Sequence, residues 1–263
     1  MLVDSHCHLD FPELAGQLDA VLALMRENGV THALCVSVIL QDFPRVRELA
    51  EHYGQLYASV GVHPDYPDVP KVAPAEIVEL AAHRKVIGIG ETGLDYYRIK
   101  GDRAWQHERF RSHIRAARDC GKPLIIHTRE AAADTLRIMR EERAQEIGGV
   151  MHCFTETWEV AQAAMDLGFY ISFSGIVTFK NAKALKDVAR RVPLDRMLIE
   201  TDSPYLAPVP FRGKVNQPGF VRYVAEEIAR LHEVPVMQVG AATSGNFFRL
   251  FKIEDMELHH ETH

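Results

Sequence analysis

The segment Val3-Asp4-Ser5-His6-Cys7-His8 carries the first residues able to do chemistry. In a β-strand alternate side chains share a face. His6 and His8 then look one way and Cys7 the other. Neutral imidazole is the commonest metal ligand, so two on one face form half of a metal site. Two unrelated polar loop residues would explain the pair equally well, because short motifs match by chance. The rest of the chain adds candidates at similar places. His63, Glu91, His127 and Asp202 each close or follow a short apolar run, His152 sits at the end of another, and Asp95 lies just beyond Glu91. Singly, each has a bland account: His127 as a satisfied rim histidine, Glu91 as a turn cap, Asp202 before Ser203-Pro204 as a turn former. The repetition has no such account and points to one shared site.

His6, His8, His127 and His152 with Glu91 and Asp202 exceed what one tetrahedral metal needs. They suit two divalent ions roughly 3.5–4 Å apart. One ion takes His6 and His8, the other His127 and His152. Glu91 is the natural bridge. Asp202 can touch a metal and the attacking water together, which makes it the general base. Zinc, manganese, cobalt or nickel suit histidine-rich ligation better than magnesium.

The elements that must position these groups alternate strictly. Strands are expected at residues 2–8, 33–40, 56–62, 85–91, 123–127, 149–153, 170–174 and 196–200. Helices are expected at 14–28, 43–52, 73–83, 103–120, 130–142, 155–167 with Thr155 as N-cap, 182–191, 218–231 and 236–250. Apolar stripes at helical spacing support them, such as Leu14, Leu18, Val21, Leu22 and Met25. Repeated strand–helix units imply parallel strands with crossovers. Eight of them favour a single-domain (β/α)8 TIM barrel over an open doubly wound sheet, and no GxGxxG follows the first strand. Barrel strands deliver their C-terminal residues to one face, so the scattered candidates converge there.

The totals agree with one such barrel. The chain has 263 residues, 47% hydrophobic and 25% charged, enough for a large core. No apolar run is long enough for a membrane span. The N-terminus lacks a basic stretch followed by an apolar one, so no secretory signal is expected. Cys7, Cys35, Cys120 and Cys153 form no CxxC pair and read as reduced thiols of a cytoplasmic protein. The net charge of −6 argues against broad nucleic-acid binding but leaves room for a local basic cleft. The last ten or so residues, rich in histidine, read as a solvated tail.

Six motifs in order, Asp4-Ser5-His6-Cys7-His8-Leu9-Asp10, Gly61-Val62-His63-Pro64, Gly90-Glu91-Thr92-Gly93-Leu94-Asp95-Tyr96, His127-Thr128-Arg129, His152-Cys153-Phe154 and Glu200-Thr201-Asp202-Ser203-Pro204-Tyr205, resemble the TatD family of metal-dependent deoxyribonucleases. The resemblance runs from Val3 to about Phe251. It implies a TIM-barrel hydrolase with His6, His8, Glu91, His127, His152 and Asp202 as metal ligands and Glu91 shared. It also implies DNA as substrate, with 3′-to-5′ exonuclease action and a single-strand preference. Arg129, Arg212 and Lys214 are candidates for phosphate contact, or equally solvated loop charges. His63 and Asp95 could orient substrate or water. Tyr96, Tyr97 and Tyr205 could stack on a base or simply pack. Two other readings stand beside the nuclease. One is a binuclear hydrolase of a small amide, ester or phosphoester, and the other a non-catalytic metal-binding scaffold. No obligate protein partner and no membrane contact are expected.

Overall fold

The computed structural model describes residues 1–97 and 101–253; the expected histidine-rich tail lies outside them. Eight parallel strands form one sheet in sequence order, from β1 to β8. They are β1 (Leu2–Cys7), β2 (Val30–Cys35), β3 (Leu56–Val60), β4 (Val86–Asp95), β5 (Leu124–Arg129), β6 (Gly149–Met151), β7 (Phe169–Phe173) and β8 (Met197–Ile199). The ring closes at the mouth, where Asp202 donates its N–H to His6 O (2.9 Å) and His8 to Ser203 O (2.8 Å). Buried Asp4 secures the same seam by accepting from the Thr201 N–H (2.8 Å) and hydroxyl (2.6 Å). The architecture is the expected TIM barrel.

Helices fill the crossovers: α1 (Pro12–Ala15), α2 (Leu18–Glu27), α3 (Phe43–His52), α4 (Pro74–Ala81), α5 (Ala104–Cys120), α6 (Ala132–Glu141), α7 (Trp158–Asp166), α8 (Lys183–Arg191), α9 (Val221–His232) and α10 (Val236–Phe251). Strand alternation divides the apolar residues into two cores. The outer one lies between barrel and helices. The inner one takes one residue from each strand: Val3, Leu34, Tyr57, Ile87, Ile125, Val150, Tyr170 and Leu198. Phe247 and Phe251 of α10 join this inner cluster, so the last helix covers the barrel floor. Chemistry is left to the opposite end.

Several boundaries differ from expectation for identifiable reasons. The helix expected at 14–28 is two, parted at Gly16 and Gln17, where glycine weakens the helix. β2 spans Val30–Cys35, not 33–40, because the carbonyls of residues 36–38 turn to the site instead of the ladder. Ser37 O accepts from Glu91 N–H and Val38 O from His63 N–H. α7 begins at Trp158 behind Thr157, and Thr155 lines the cavity rather than capping it. Residues 218–220 are a short 3-10 turn ahead of α9. β4 runs past Glu91 to Asp95, pairing with β5 as far as Arg129. All four cysteines are free thiols. No helix among the described residues is long and apolar enough to cross a membrane.

Candidate metal centre

Strict alternation from Val3 would bring Cys7, and not His6 or His8, to the inside. The β1–β2 register breaks between Asp4 and Cys7. Cys7 consequently joins the outer core while both histidines face the mouth. A local irregularity that re-aims side chains is a recurrent device beside functional sites. β4 has a similar break between Ile89 and Thr92, at Gly90 (φ +148°). Its Gly93 (φ +142°) lies so close to β5 that a Cβ would stand 1.9 Å from His127 O. Glycine is what lets Glu91, Asp95 and His127 crowd together here. His127, His152 and Asp202 need no such device. They keep the parity of the inward residues Ile125, Val150 and Leu198 on their own runs.

The groups meet around Glu91, whose two carboxylate oxygens serve different partners. Oε2 lies 3.2 Å from His6 Nε2. Oε1 lies 2.6 Å from His152 Nε2, 3.1 Å from His127 Nδ1 and 3.3 Å from His63 Nε2. Asp202 Oδ1 faces His8 Nε2 at 3.5 Å and His6 Nε2 at 3.7 Å. Asp202 itself adopts a left-handed backbone (φ +57°), a conformation uncommon outside glycine and frequent at functional sites.

Hydrogen bonds on the far side orient three of the rings. His8 donates Nδ1–H to Val36 O (2.9 Å), which leaves Nε2 with a lone pair toward Asp202. His152 Nδ1 lies 3.2 Å from Glu200 Oε1, which turns Nε2 inward. His127 is reversed: Nε2–H goes to Asp95 Oδ2 (3.0 Å) and Nδ1 faces inward. This is the pattern of metal-ligating histidine, whose outer N–H binds a carboxylate or carbonyl. His6 is fully buried, yet neither of its ring nitrogens makes a hydrogen bond. A buried polar atom left so is costly, and a cation at Nε2 relieves it. The donor set therefore fits divalent cations. The possible donor atoms draw together in three groups, His6–His8–Glu91, His6–His152–Asp202 and His63–Glu91–His127.

The electrostatics agree. Burial works to raise the Glu91 pKa, but the surrounding histidines, His152 foremost, outweigh it and hold the carboxyl well below its ordinary range. Asp202 is likewise held low against burial, by His8, His6 and His152. Burial and the neighbouring His152 push the His6 pKa down. Both carboxyls are thus ionised and ready to balance cationic charge.

The cavity above the cluster measures about 790 Å³, and Phe11, His63, Tyr66, Asp95, Arg129 and Tyr205 are among its walls. All six expected ligands are brought together. Of the expected substrate contacts, His63, Asp95 and Arg129 line the cavity, with the Arg129 guanidinium 3.7 Å above the Tyr97 ring. Asp95 turns its carboxylate to His127. Arg212 is not among the lining residues; its guanidinium stacks over Phe179 at 3.7 Å. Lys214 is exposed, near Phe211. Tyr96 bonds to His107 and Asp134 away from the cluster, while exposed Tyr97 and Tyr205 stand at the rim. Sequence reasoning missed Glu200, the buried partner of His152. Its signal was available, since Glu200 shares strand parity with Asp202.

The family model described as TatD related DNase matches residues 3–252. The chain belongs to the TatD family. Among TatD-like relatives, the uncharacterized metal-dependent hydrolase YcfH of Escherichia coli K12 is 50% identical over 260 residues, covering 98% of each chain. YabD of Bacillus subtilis, also an uncharacterized metal-dependent hydrolase, is 44% identical, covering 96% of this chain and all of its own. The crystal structure of the TatD homologue YjjV from Escherichia coli K12 superposes with a TM-score of 0.88 at 28% identity, over 95% of this chain and 98% of that one. This TatD member is a metal-dependent hydrolase.

Proposed function

We propose that this TatD protein hydrolyses DNA phosphodiesters with two divalent ions per chain. The observation that carries the reading is the division of Glu91. One oxygen faces His6, and the other faces His127 and His152. One ion would sit among His6, His8, Glu91 and Asp202, the other among Glu91, His127 and His152. Such ions offset charge on the attacking and leaving oxygens and make water more acidic. The protein's own part is to hold and orient. Asp202, ionised and at the mouth, takes the proton of the attacking water at a carboxylate oxygen. Val36 O, Asp95 and Glu200 hold three imidazoles with their inner nitrogens toward the cluster and favour the ligating tautomer.

DNA as the substrate class is supported by the family description and by the rim. Arg129 lies against exposed Tyr97, and exposed Tyr205 lines the same cavity, a set of cationic and aromatic groups suited to single strands. The net charge of −6 favours a second reading, a small ester, amide or phosphoester. The deciding test uses end-labelled single-stranded DNA and metal-stripped protein restored with magnesium, manganese or zinc. Loss of terminal nucleotides is expected with at least one metal, and Asp202→Asn should abolish it. A wild type that binds two ions yet leaves DNA intact under every metal removes the nuclease reading in favour of the small substrate.

A further inference from the structure

His63 also approaches the Glu91 carboxylate, but its ring is tied differently from those of His8, His127 and His152. In His8 the outer ring nitrogen donates to a carbonyl, and in His127 and His152 it faces a carboxylate, so a proton held there leaves the inner nitrogen open to a cation. In His63 the outer nitrogen accepts: Asp65 donates its backbone N–H to Nδ1 at 3.1 Å. A neutral imidazole accepting at Nδ1 carries its proton on Nε2. The atom that His63 sends into the cavity is therefore an N–H, not a lone pair. It ends 3.3 Å from Glu91 Oε1, which His152 approaches more closely at 2.6 Å.

The segment carrying His63 is also held more firmly than a rim loop requires. His63 N–H donates to Val38 O (2.9 Å). Three buried polar residues of α5, spaced three and four apart on one face, grip the backbone around it. His113 Nε2 accepts from Val62 N–H (3.0 Å). Gln106 donates to Pro64 O (3.2 Å). Arg109 donates to Tyr66 O and Val69 O (2.8 Å each) and reaches His63 O at 3.5 Å. Gln106 and His113 are wholly buried and Arg109 is 7% exposed. Gln106 also takes the Asp95 N–H, so the same helix sets the residue that orients His127. A helix that spends three buried polar side chains on one neighbouring loop fixes its geometry, and the side chain of that loop entering the cluster is His63.

We propose that His63 is a fixed N–H donor to an oxygen of the reacting group, held in place by the polar stripe of α5, and is neither a metal ligand nor a proton carrier. This rests on the hydrolytic reading of the same site. A ligand needs a lone pair on the inner nitrogen, and the Asp65 N–H has placed the proton there. A proton carrier needs a vacant lone pair, and the only one on the ring is already bonded to that N–H. What remains is a preorganised donor, useful where negative charge grows on a phosphoryl or tetrahedral oxygen.

The test uses the metal-loaded protein with His63→Ala and His63→Gln, the amide N–H of glutamine reaching about where Nε2–H does. Three readouts are taken: bound ions per chain, kinetics on bis(4-nitrophenyl) phosphate across pH, and the His63 tautomer from long-range proton–nitrogen spectra of histidine-labelled wild type. Both variants should keep the wild-type ion count. His63→Ala should lose roughly 10²–10³ in kcat, the loss typical of one donor to a developing oxyanion, with little change in KM. His63→Gln should regain at least about tenfold of that loss, and both limbs of the pH profile should persist. The tautomer should be Nε2–H. A lost ion in His63→Ala makes His63 a ligand and overturns the proposal. So does a vanished pH limb, a glutamine variant no better than alanine, or an Nδ1–H tautomer. A wild type that cleaves no phosphodiester defeats the nuclease reading separately. His63 is then judged by calorimetric binding of inorganic phosphate, which should weaken in His63→Ala and recover in His63→Gln; equal binding in all three proteins overturns it.

Discussion

His113 makes the link between α5 and the site measurable through stability. Its ring is wholly buried, donating Nδ1–H to Arg109 O (2.8 Å) and accepting Val62 N–H at Nε2 (3.0 Å). A proton at Nε2 would set one donor against another in a dry environment. Burial accordingly pushes its pKa from 6.5 down to about 4. A histidine whose folded value lies below its unfolded value stabilises the fold fully above about pH 6.5. That contribution fades as pH falls toward 4 and is gone below it. The full difference corresponds to about 3 kcal/mol, of which about 2 kcal/mol is lost between pH 7 and pH 5. The assay is urea unfolding of wild type and His113→Leu from pH 7 to pH 5 in excess chelator. The site histidines then titrate alike in both proteins and cancel. At pH 7 the variant should be less stable by about 1–3 kcal/mol, because Val62 N–H loses its partner. Its stability should then decline less steeply with acid, closing most of the gap by pH 5. Parallel pH slopes for the two proteins would refute the buried-neutral assignment of His113.

Three further outcomes follow from the geometry. Glu200→Gln removes the charge behind His152 Nδ1–H and should weaken metal binding by about 10- to 100-fold in a chelator competition; unchanged affinity would mean Glu200 only fills space. Gly93→Ala forces a Cβ to 1.9 Å from His127 O at a φ of +142°. It should cost more than about 2 kcal/mol of unfolding free energy, and a wild-type melting temperature would contradict the close approach of β4 and β5. Arg129→Ala should lessen the salt dependence of single-stranded DNA binding by about 0.7 in the log–log slope if it meets one phosphate. Fluorescence anisotropy in an Asp202→Asn background, which does not cut, reads this directly. No change in slope would confine Arg129 to its stack on Tyr97.

Much of this protein was legible in its sequence because two kinds of information are local. Apolar runs of strand length alternating with amphipathic stretches specify eight strand–helix units, and chain connectivity then demands parallel strands. Polar residues placed after those runs must gather at one end of the barrel. His6, His8, Glu91, His127, His152 and Asp202 were singled out as candidates that way, with His63 and Asp95 beside them. Other features depend on which atoms meet through space, and only the tertiary structure decided them. The inward turn of His6 and His8 needs the register break in β1, since plain alternation from Val3 favours Cys7. β2 stops at Cys35 because the carbonyls of Val36, Ser37 and Val38 bond to His8, Glu91 and His63, residues remote in sequence. Arg212 belongs to a loop whose path puts it over Phe179, away from the cavity wall. On α5 the sequence displays Phe110, Ile114 and Ala117 as the buried stripe, while Gln106, Arg109 and His113 pass for surface residues until the loop after β3 is laid against them. The proton on each imidazole is set in the same way. A histidine's residue type is written in the chain, but whether its inner nitrogen offers a lone pair or an N–H depends on the partner that folding brings to the other side of the ring.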